Sequence, residues 1–410
     1  MESYLRSQLY KRLWDSLRGR INLIQAVTGP RQVGKTTMAL QIMGKWPGPK
    51  IYETADQPDT PQLEWINIQW KKIRNLSGHK KEPALLVLDE IQKIQKWSGI
   101  VKKLFDEDRR LKNNIRVLIL GSSALLMQRG LSESLTGRFE LQRHNQWSFA
   151  ECREYFSLSL DEYLYFGGYP GALRMRRDEN RWARYMRDSL IETVLSKDII
   201  LLSPITKPFL LRQSFGLAVN NAARIISYQK MLGSLQDAGN TTTIASYLHL
   251  LSKAFLLTPL ERWGGSRIRQ RGSIPKILVF DNGLISSMGG LNFKAVRKNK
   301  ALRGRLVENA VGAMLYFIAD KLGGELYYWR ERDKEIDYVV RIGDKATAFE
   351  VKSGIPDKKP EALTFFTRKY KNARPYIISG STDAYIGSIK NINLEEAFKD
   401  TGKLSKLLTV

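Results

Sequence analysis

Four groups of residues in this chain have the types and spacing to do chemistry. The first is Gly29-Pro30-Arg31-Gln32-Val33-Gly34-Lys35-Thr36, followed by Thr37, which matches G-x-x-x-x-G-K-[ST]. The glycines let backbone N–H groups close around phosphate oxygens, Lys35 is expected to reach the β- and γ-phosphates, and Thr36 to ligate Mg²⁺. The second is Asp89-Glu90, which ends the apolar run Leu85-Leu86-Val87-Leu88. Asp89 is expected to hold Mg²⁺ and Glu90 to orient or deprotonate an attacking water, which favours hydrolysis over mere binding. The third pairs Ser122, at the end of the run Val117–Gly121, with Arg138 in Leu135-Thr136-Gly137-Arg138. Ser122 is placed to touch a γ-phosphate or its water, and Arg138 to stabilise transition-state charge on a neighbouring copy's nucleotide. No Asn-Lys-x-Asp or Thr-Lys-x-Asp guanine-reading motif occurs, so ATP is the expected nucleotide.

The fourth group is Glu308, Asp337, Glu350 and Lys352. Glu350 and Lys352 stand two apart in a strand-like run and so share a face. The three carboxylates are expected as hard oxygen ligands for Mg²⁺ or Mn²⁺. Lys352 is expected to orient water or steady a pentavalent phosphate. The Asp…Glu-x-Lys spacing is the PD-(D/E)xK pattern of the restriction-endonuclease-like fold. Both cutting and binding without cutting stay open at this stage.

Basic residues cluster around this fourth group. Arg262, Arg267, Arg269, Arg271 and Lys276 line a hairpin-like segment, and Lys294, Arg297, Lys298, Lys300, Arg303 and Arg305 crowd the next stretch. Of these, Arg262, Arg267, Arg269, Arg271, Lys298, Lys300 and Arg303 are the expected DNA phosphate contacts, with Lys276 also suited to that role. His79, His144 and His249 lack metal-ligand spacing, and Cys152 reads as a small apolar residue.

The elements that must position these groups follow from patterning. Leu5, Leu9, Leu13 and Leu17 suggest an opening amphipathic helix. Apolar runs at INLIQAVTG, PKIYETAD, ALLVLDE and RVLILGSS, with helical text between them, predict βαβ units around a mostly parallel sheet. The text from 151 to 223 is mostly helical and is broken by Phe166-Gly167-Gly168-Tyr169-Pro170-Gly171. Residues 223–235 read as one helix, Gly239-Asn240 as a turn, and Thr241 onward as a second helix exposing Thr241, Thr242 and Ser246. FLLTPLERW and KILVFD then read as a hairpin, which completes a winged-helix order. Beyond 303, an αβββαβ order is predicted, with Glu308 on the helix, Asp337 in the second strand and Glu350 and Lys352 in the third.

The chain has 410 residues and a formal net charge of +25, spread through all three parts rather than held in a tail. Such an excess implies an anionic partner, most often nucleic acid. One cysteine excludes a disulfide framework within the chain and fits a reducing cytoplasm. No apolar run approaches a membrane span, and the first residues have no signal-peptide character.

GPRQVGKTT, LVLDEIQ, LILGSS and LTGR together resemble the AAA+ ATPases of archaea and bacteria that carry a C-terminal domain of unknown function. The Gly-Gly-Tyr-Pro loop, Trp329-Arg330 and Glu350-Val351-Lys352-Ser353 extend the resemblance over nearly the whole chain. It implies ATP hydrolysis between subunits of a homo-oligomer and a nuclease-like C-terminal fold. The expectation is therefore an α/β multidomain protein. A parallel-sheet AAA+ ATPase domain takes 1–150, a helical and winged-helix segment 151–295, and a restriction-endonuclease-like α/β domain 296–410. It would use ATP and Mg²⁺ to process DNA, with Mn²⁺ also suited to the nuclease-like site. The alternative is an ATP-dependent DNA- or protein-binding regulator whose nuclease-like domain does not cut.

Overall fold

A computed structural model describes residues 4–78, 81–122, 127, 134–202, 205–235, 240–264, 273–356, 361–382 and 384–409. The chain packs as two compact units, Met1–Gln146 and Trp147–Val410.

The first unit is built on strands β1 (Ile24–Thr28), β2 (Lys50–Thr54), β3 (Ala84–Asp89), β4 (Ile115–Gly121) and β5 (Phe139–Arg143), all parallel in the order β2-β3-β4-β1-β5. The central strands β1 and β3 are buried at every residue, which is why they read as continuous apolar runs rather than as alternation. One face of the sheet packs helices α1 (Ser7–Arg18) and α2 (Lys35–Lys45) through Leu13, Leu17, Met38 and Ile42. The other face packs α3 (Leu63–Ser77) and α4 (Trp97–Leu111) through Trp70, Ile73, Val101 and Phe105. Strand β5 is absent from the sequence reading. Its text, FELQR, is short and polar, and it is a strand only because it pairs with β1 from Ile24–Phe139 to Thr28–Arg143.

The second unit starts with α5 (Phe149–Phe156) and α6 (Leu160–Phe166), each opened by a serine–glutamate capping box, at Ser148/Glu151 and Ser159/Glu162. Helical segments follow to Leu202, and then α7 (Pro208–Asn220), α8 (Tyr228–Gly233) and α9 (Thr241–Lys253). The helix expected over 223–235 is only the six residues of α8. Ala223, Ile225 and Ile226 instead give their backbone groups to the strand at 275–277, and Ser227 caps the helix that begins after them. Strands β6 (Leu257–Leu260) and β7 (Lys276–Val279) form the expected antiparallel hairpin. The tip that carries Arg267, Arg269 and Arg271 lies outside the described residues, as do Gly239 and His79.

After α10 (Asn282–Met288), α11 (Phe293–Lys298) and the long α12 (Lys300–Lys321), the expected αβββαβ order appears. It runs through β8 (Glu325–Glu331), β9 (Lys334–Ile342), β10 (Lys345–Lys352), helix α13 (Glu361–Lys369) and β11 (Ala373–Ser379). Strands β12 (Tyr385–Ile386) and β13 (Ile389–Asn393) extend it to a mixed sheet in the order β12-β13-β11-β10-β9-β8. Trp329, Ile336, Val339, Leu363, Phe366 and Ile377 form a core between α13 and this sheet. No helix of the described residues is long and apolar enough to cross a membrane.

Candidate functional site

In the first unit, the strand order puts β1 and β3 on either side of β4, so that the loop after Thr28 and the carboxylates after Leu88 emerge at the same edge of the sheet. Gly29, Pro30, Arg31, Gln32 and Val33 lead to Gly34, which takes φ +95° directly before α2 begins at Lys35. That left-handed turn is readily reached only without a Cβ, and it aims the N-terminus of α2 back into the loop. Lys35 is buried, and its Nζ donates to the carbonyls of Gly29 (2.9 Å) and Pro30 (2.7 Å). Thr37 follows, exposed, on the first turn.

Thr36 Oγ1 donates to Asp89 Oδ2 at 2.8 Å, and Tyr52 Oη donates to the same oxygen at 2.8 Å. Burial, reinforced by its bond to Asp89, drives the Tyr52 hydroxyl far above its ordinary pKa, so it stays a donor. A hydroxyl and a carboxylate oxygen at this separation are hard ligands of the kind Mg²⁺ takes, so Thr36 and Asp89 fit the ion. Glu90 stands next to them with φ +53°, and its carboxylate accepts from Ser122 Oγ at 3.0 Å and from the side-chain amide of Gln92. A non-glycine residue in the left-handed region is a strained position of the sort found at working sites. Tyr52 and Gln92 escaped the sequence reading. Gln92 sits inside the LVLDEIQ motif, whereas Tyr52 carries no local signal and reaches Asp89 only because β2 pairs with β3.

Arg138 is held elsewhere. It precedes β5 at the edge of the sheet opposite the loop, where Phe139 pairs with Ile24, and its guanidinium grips Asp106 of α4 through two bonds of 2.7 and 3.0 Å. Its position at the start of β5 puts it at the end of the sheet away from its own chain's phosphate loop. His144, on leaving β5, donates its N–H to Thr28 O at 2.8 Å and is fully buried, with no hydrogen-bond partner on either ring nitrogen.

In the second unit, Asp337, Glu308, Glu350 and Lys352 do come together, but lysines stand among the carboxylates. The β9–β10 register, with Tyr338 opposite Phe349, brings Asp337 beside Glu350. Asp337 Oδ2 accepts from the Val351 N–H at 2.8 Å, and Lys352 Nζ pairs with Glu350 Oε1 at 2.8 Å. The unexpected member is Lys276 of β7. Its Nζ lies 2.6 Å from Glu308 Oε1, 3.4 Å from Asp337 Oδ1 and 3.7 Å from Glu335 Oε1, and 5.0 Å from the centre of the Tyr338 ring. Read from sequence as a phosphate contact, Lys276 is instead 0 % exposed and cannot meet a nucleic acid. Burial alone would depress its pKa, but Asp337 and Glu308 override that and hold it above the ordinary lysine value. Burial first, then the charge of Asp337, raises both Glu308 and Glu350 to about 7.

This cluster does not fit a divalent cation as arranged. Among the described residues no three His, Cys, Asp or Glu side chains converge as a metal shell. At an effective dielectric of about 20, a dication about 4 Å from a resident ammonium meets roughly 8 kcal/mol of repulsion. The metal expectation for Glu308, Asp337 and Glu350 thus meets a cation the chain itself provides.

The basic residues divide likewise. Arg303 bonds Asp161 (Nε–Oδ1 3.1 Å) and the Ser353 carbonyl (2.9 Å), while Lys298, Lys300 and Arg262 are exposed. The backbone around Arg262 pairs with the edge of β8, where Trp263 N–H donates to Tyr328 O at 2.6 Å.

With this geometry in place, comparison with known proteins is informative for the first unit. Residues 21–153 match the family model described as an AAA domain, residues 157–295 a domain of unknown function (DUF8612), and residues 303–396 another domain of unknown function (DUF4143). The phosphate loop, the Thr36–Asp89 pair and Glu90 within the AAA match define a P-loop AAA+ ATPase domain, which binds ATP. An uncharacterized protein of Mycobacterium tuberculosis is 28 % identical over 328 residues, which is 80 % of this chain and 69 % of that protein. An uncharacterized protein of Methanocaldococcus jannaschii is 25 % identical over 347 residues, 78 % of this chain and 72 % of that protein. Among solved structures, AMPPCP-bound DnaA from Aquifex aeolicus aligns at 16 % identity and TM-score 0.32, covering 60 % of this chain and 86 % of that one.

Proposed function

We propose that this chain is an ATP-hydrolysing AAA+ protein that works as an oligomeric, DNA-binding switch, and that its C-terminal module binds rather than cuts. The observation that carries the reading is the pair of contacts at one sheet edge, Thr36 to Asp89 and Ser122 to Glu90, beside the phosphate loop. In hydrolysis, Lys35 leaves its loop carbonyls for the β- and γ-phosphates, and backbone N–H groups from Gly29 to Thr37 hold the phosphate oxygens. Glu90 orients a water and takes its proton as the water oxygen bonds to the γ-phosphorus. The bond from that phosphorus to the bridging oxygen breaks, leaving ADP and phosphate. Mg²⁺, held by Thr36 and Asp89, would neutralise phosphate charge. Arg138, released from Asp106, would serve the nucleotide of the adjacent subunit.

The net charge of +25 supports DNA as the partner. So do the exposed Lys298, Lys300 and Arg262, and the helix–helix–hairpin order with Thr242 and Ser246 exposed on its second helix. The endonuclease reading is set aside because Lys276 stands against Glu308 and Asp337, two of the carboxylates it would need for metal. The test is phosphate release with and without plasmid DNA, with the plasmid run on a gel after incubation with Mg²⁺ or Mn²⁺. Stimulation by DNA with intact plasmid is expected. DNA-independent turnover would remove the switch, and nicking that disappears in Asp337→Ala would restore the nuclease.

A further inference from the structure

The carboxylate cluster of the second unit draws its cation from another part of the sequence. Glu308 comes from α12, Glu335 and Asp337 from β9, and Glu350 from β10. Lys276 comes from the hairpin that precedes them, and its side chain is 1 % exposed while touching three of these carboxylates. A lysine this deeply buried keeps its charge only where carboxylates surround it. The hairpin is tied to the same sheet at a second point, where the backbone of Glu261 and Trp263 exchanges bonds with Tyr328 of β8 (Tyr328 N to Glu261 O 3.2 Å, Trp263 N to Tyr328 O 2.6 Å). Position and orientation of the ammonium are therefore set by strand pairing, not by a freely rotating surface side chain. Tyr338 closes the other side, with its ring beside the ammonium and its hydroxyl donating to the Glu308 carbonyl at 2.9 Å.

We propose that Lys276 is the resident cation of this cluster. Its ammonium, delivered by the hairpin, stands where a divalent ion would have to sit, and it closes the carboxylate face to metal. Glu308 and Asp337 are thus partnered by Lys276 and the Val351 N–H, whereas at Glu350 the half-exposed Lys352 takes only Oε1 and the buried Oε2 has no hydrogen-bond partner. The middle segment thus completes the C-terminal module chemically as well as by packing. This rests on the non-cutting reading of that module, yet its test is metal binding and not cleavage, so either can fail alone.

The experiment titrates Mn²⁺ calorimetrically into the full nucleotide-free chain. It compares wild type, Asp337→Asn, Lys276→Met and the double variant, with resistance of residues 147–410 to limited proteolysis reporting that the second unit of each is folded. Wild type and Asp337→Asn are expected to bind Mn²⁺ alike. Lys276→Met is expected to gain one further site, about tenfold or more tighter than any wild-type binding outside the nucleotide site, and Asp337→Asn in that background to abolish it. A wild-type Mn²⁺ site weakened tenfold by Asp337→Asn overturns the proposal, and so does a folded Lys276→Met that gains no site. Should the second unit of Lys276→Met be degraded, the wild-type and Asp337→Asn pair decides alone.

Discussion

Thr36 donates its hydroxyl to Asp89 across 2.8 Å, joining the first turn of the helix after the phosphate loop to the end of β3. The same carboxylate oxygen is fixed from the far side by Tyr52. Removing that outer hydrogen bond leaves Thr36 and Asp89, the proposed Mg²⁺ ligands, in place but frees Asp89 to turn. Tyr52→Phe is therefore expected to raise the Mg²⁺ concentration needed for half-maximal ATP hydrolysis roughly tenfold, with nucleotide affinity little changed. An unaltered Mg²⁺ dependence would show that Tyr52 is only packing.

Glu90→Gln keeps the shape of the side chain and its contact with Ser122 but removes the proposed base. Hydrolysis should drop about 10²- to 10⁴-fold while ATP binding persists, measured by phosphate release and by fluorescent-nucleotide titration. Equal loss of binding and turnover would argue that Glu90 is structural.

Arg138 and Asp106 form a bidentate pair whose side chains are 29 % and 38 % exposed, so solvent screens the pair and it adds little to the fold. Stability therefore does not explain the arginine's placement, and action on a neighbour would. Arg138→Ala and Glu90→Gln, each impaired alone, should regain activity on mixing. The intact Glu90 site of one then meets the intact arginine of the other. Mixed oligomers that form yet stay inactive would rule out the role in trans.

The two units should respond oppositely to acid. Burial, then the charges of Arg6, Lys35 and Arg12, depress His144 to about 3 from its ordinary 6.5. Its contribution to stability is present above pH 6.5 and is lost as pH falls, to the extent of about 2 kcal/mol at pH 5. Burial raises Asp281 to about 7, against the pull of the Gly168 and Gly283 N–H groups. Its contribution is present below its ordinary 3.8 and is lost as pH rises through about 7. Hydrogen exchange between pH 7.5 and 5 should show protection falling in residues 21–146 and rising near 281, with His144→Phe flattening the first trend. A first unit indifferent to pH would contradict a buried neutral histidine.

Gly167 takes φ +74°, and a Cβ there would lie 2.0 Å from Asp281 Oδ1. Gly167→Ala both strains the backbone and pushes Asp281 off the Gly168 N–H, which it accepts at 2.6 Å. A loss of at least about 2 kcal/mol in stability is expected by denaturant titration. A cost below about 0.5 kcal/mol would mean the loop can relax away from Asp281.

Much of the ATPase site is legible in the chain itself, because its parts are contiguous and local. The phosphate loop is one uninterrupted motif, and β1, β3 and β4 are buried on both faces, which leaves an apolar run in the text. The αβββαβ order beyond residue 300 is legible for the same reason, since each element has its own periodicity. Strand β5 is not, because a polar edge strand is defined by its neighbour rather than by its composition.

Lys276 marks where reading along the chain stops. Its letters place it in an apolar strand of a basic hairpin, which suggests an open phosphate contact. Its partners stand 32 residues away at Glu308 and 61 away at Asp337, and no local pattern encodes such a distance. The sequence by itself determined the order of elements, the phosphate loop and the set of acidic residues, since these depend on propensity and periodicity. Only the tertiary structure decided which cation those acids hold, because the energy of a buried charge is settled by whatever the fold packs against it.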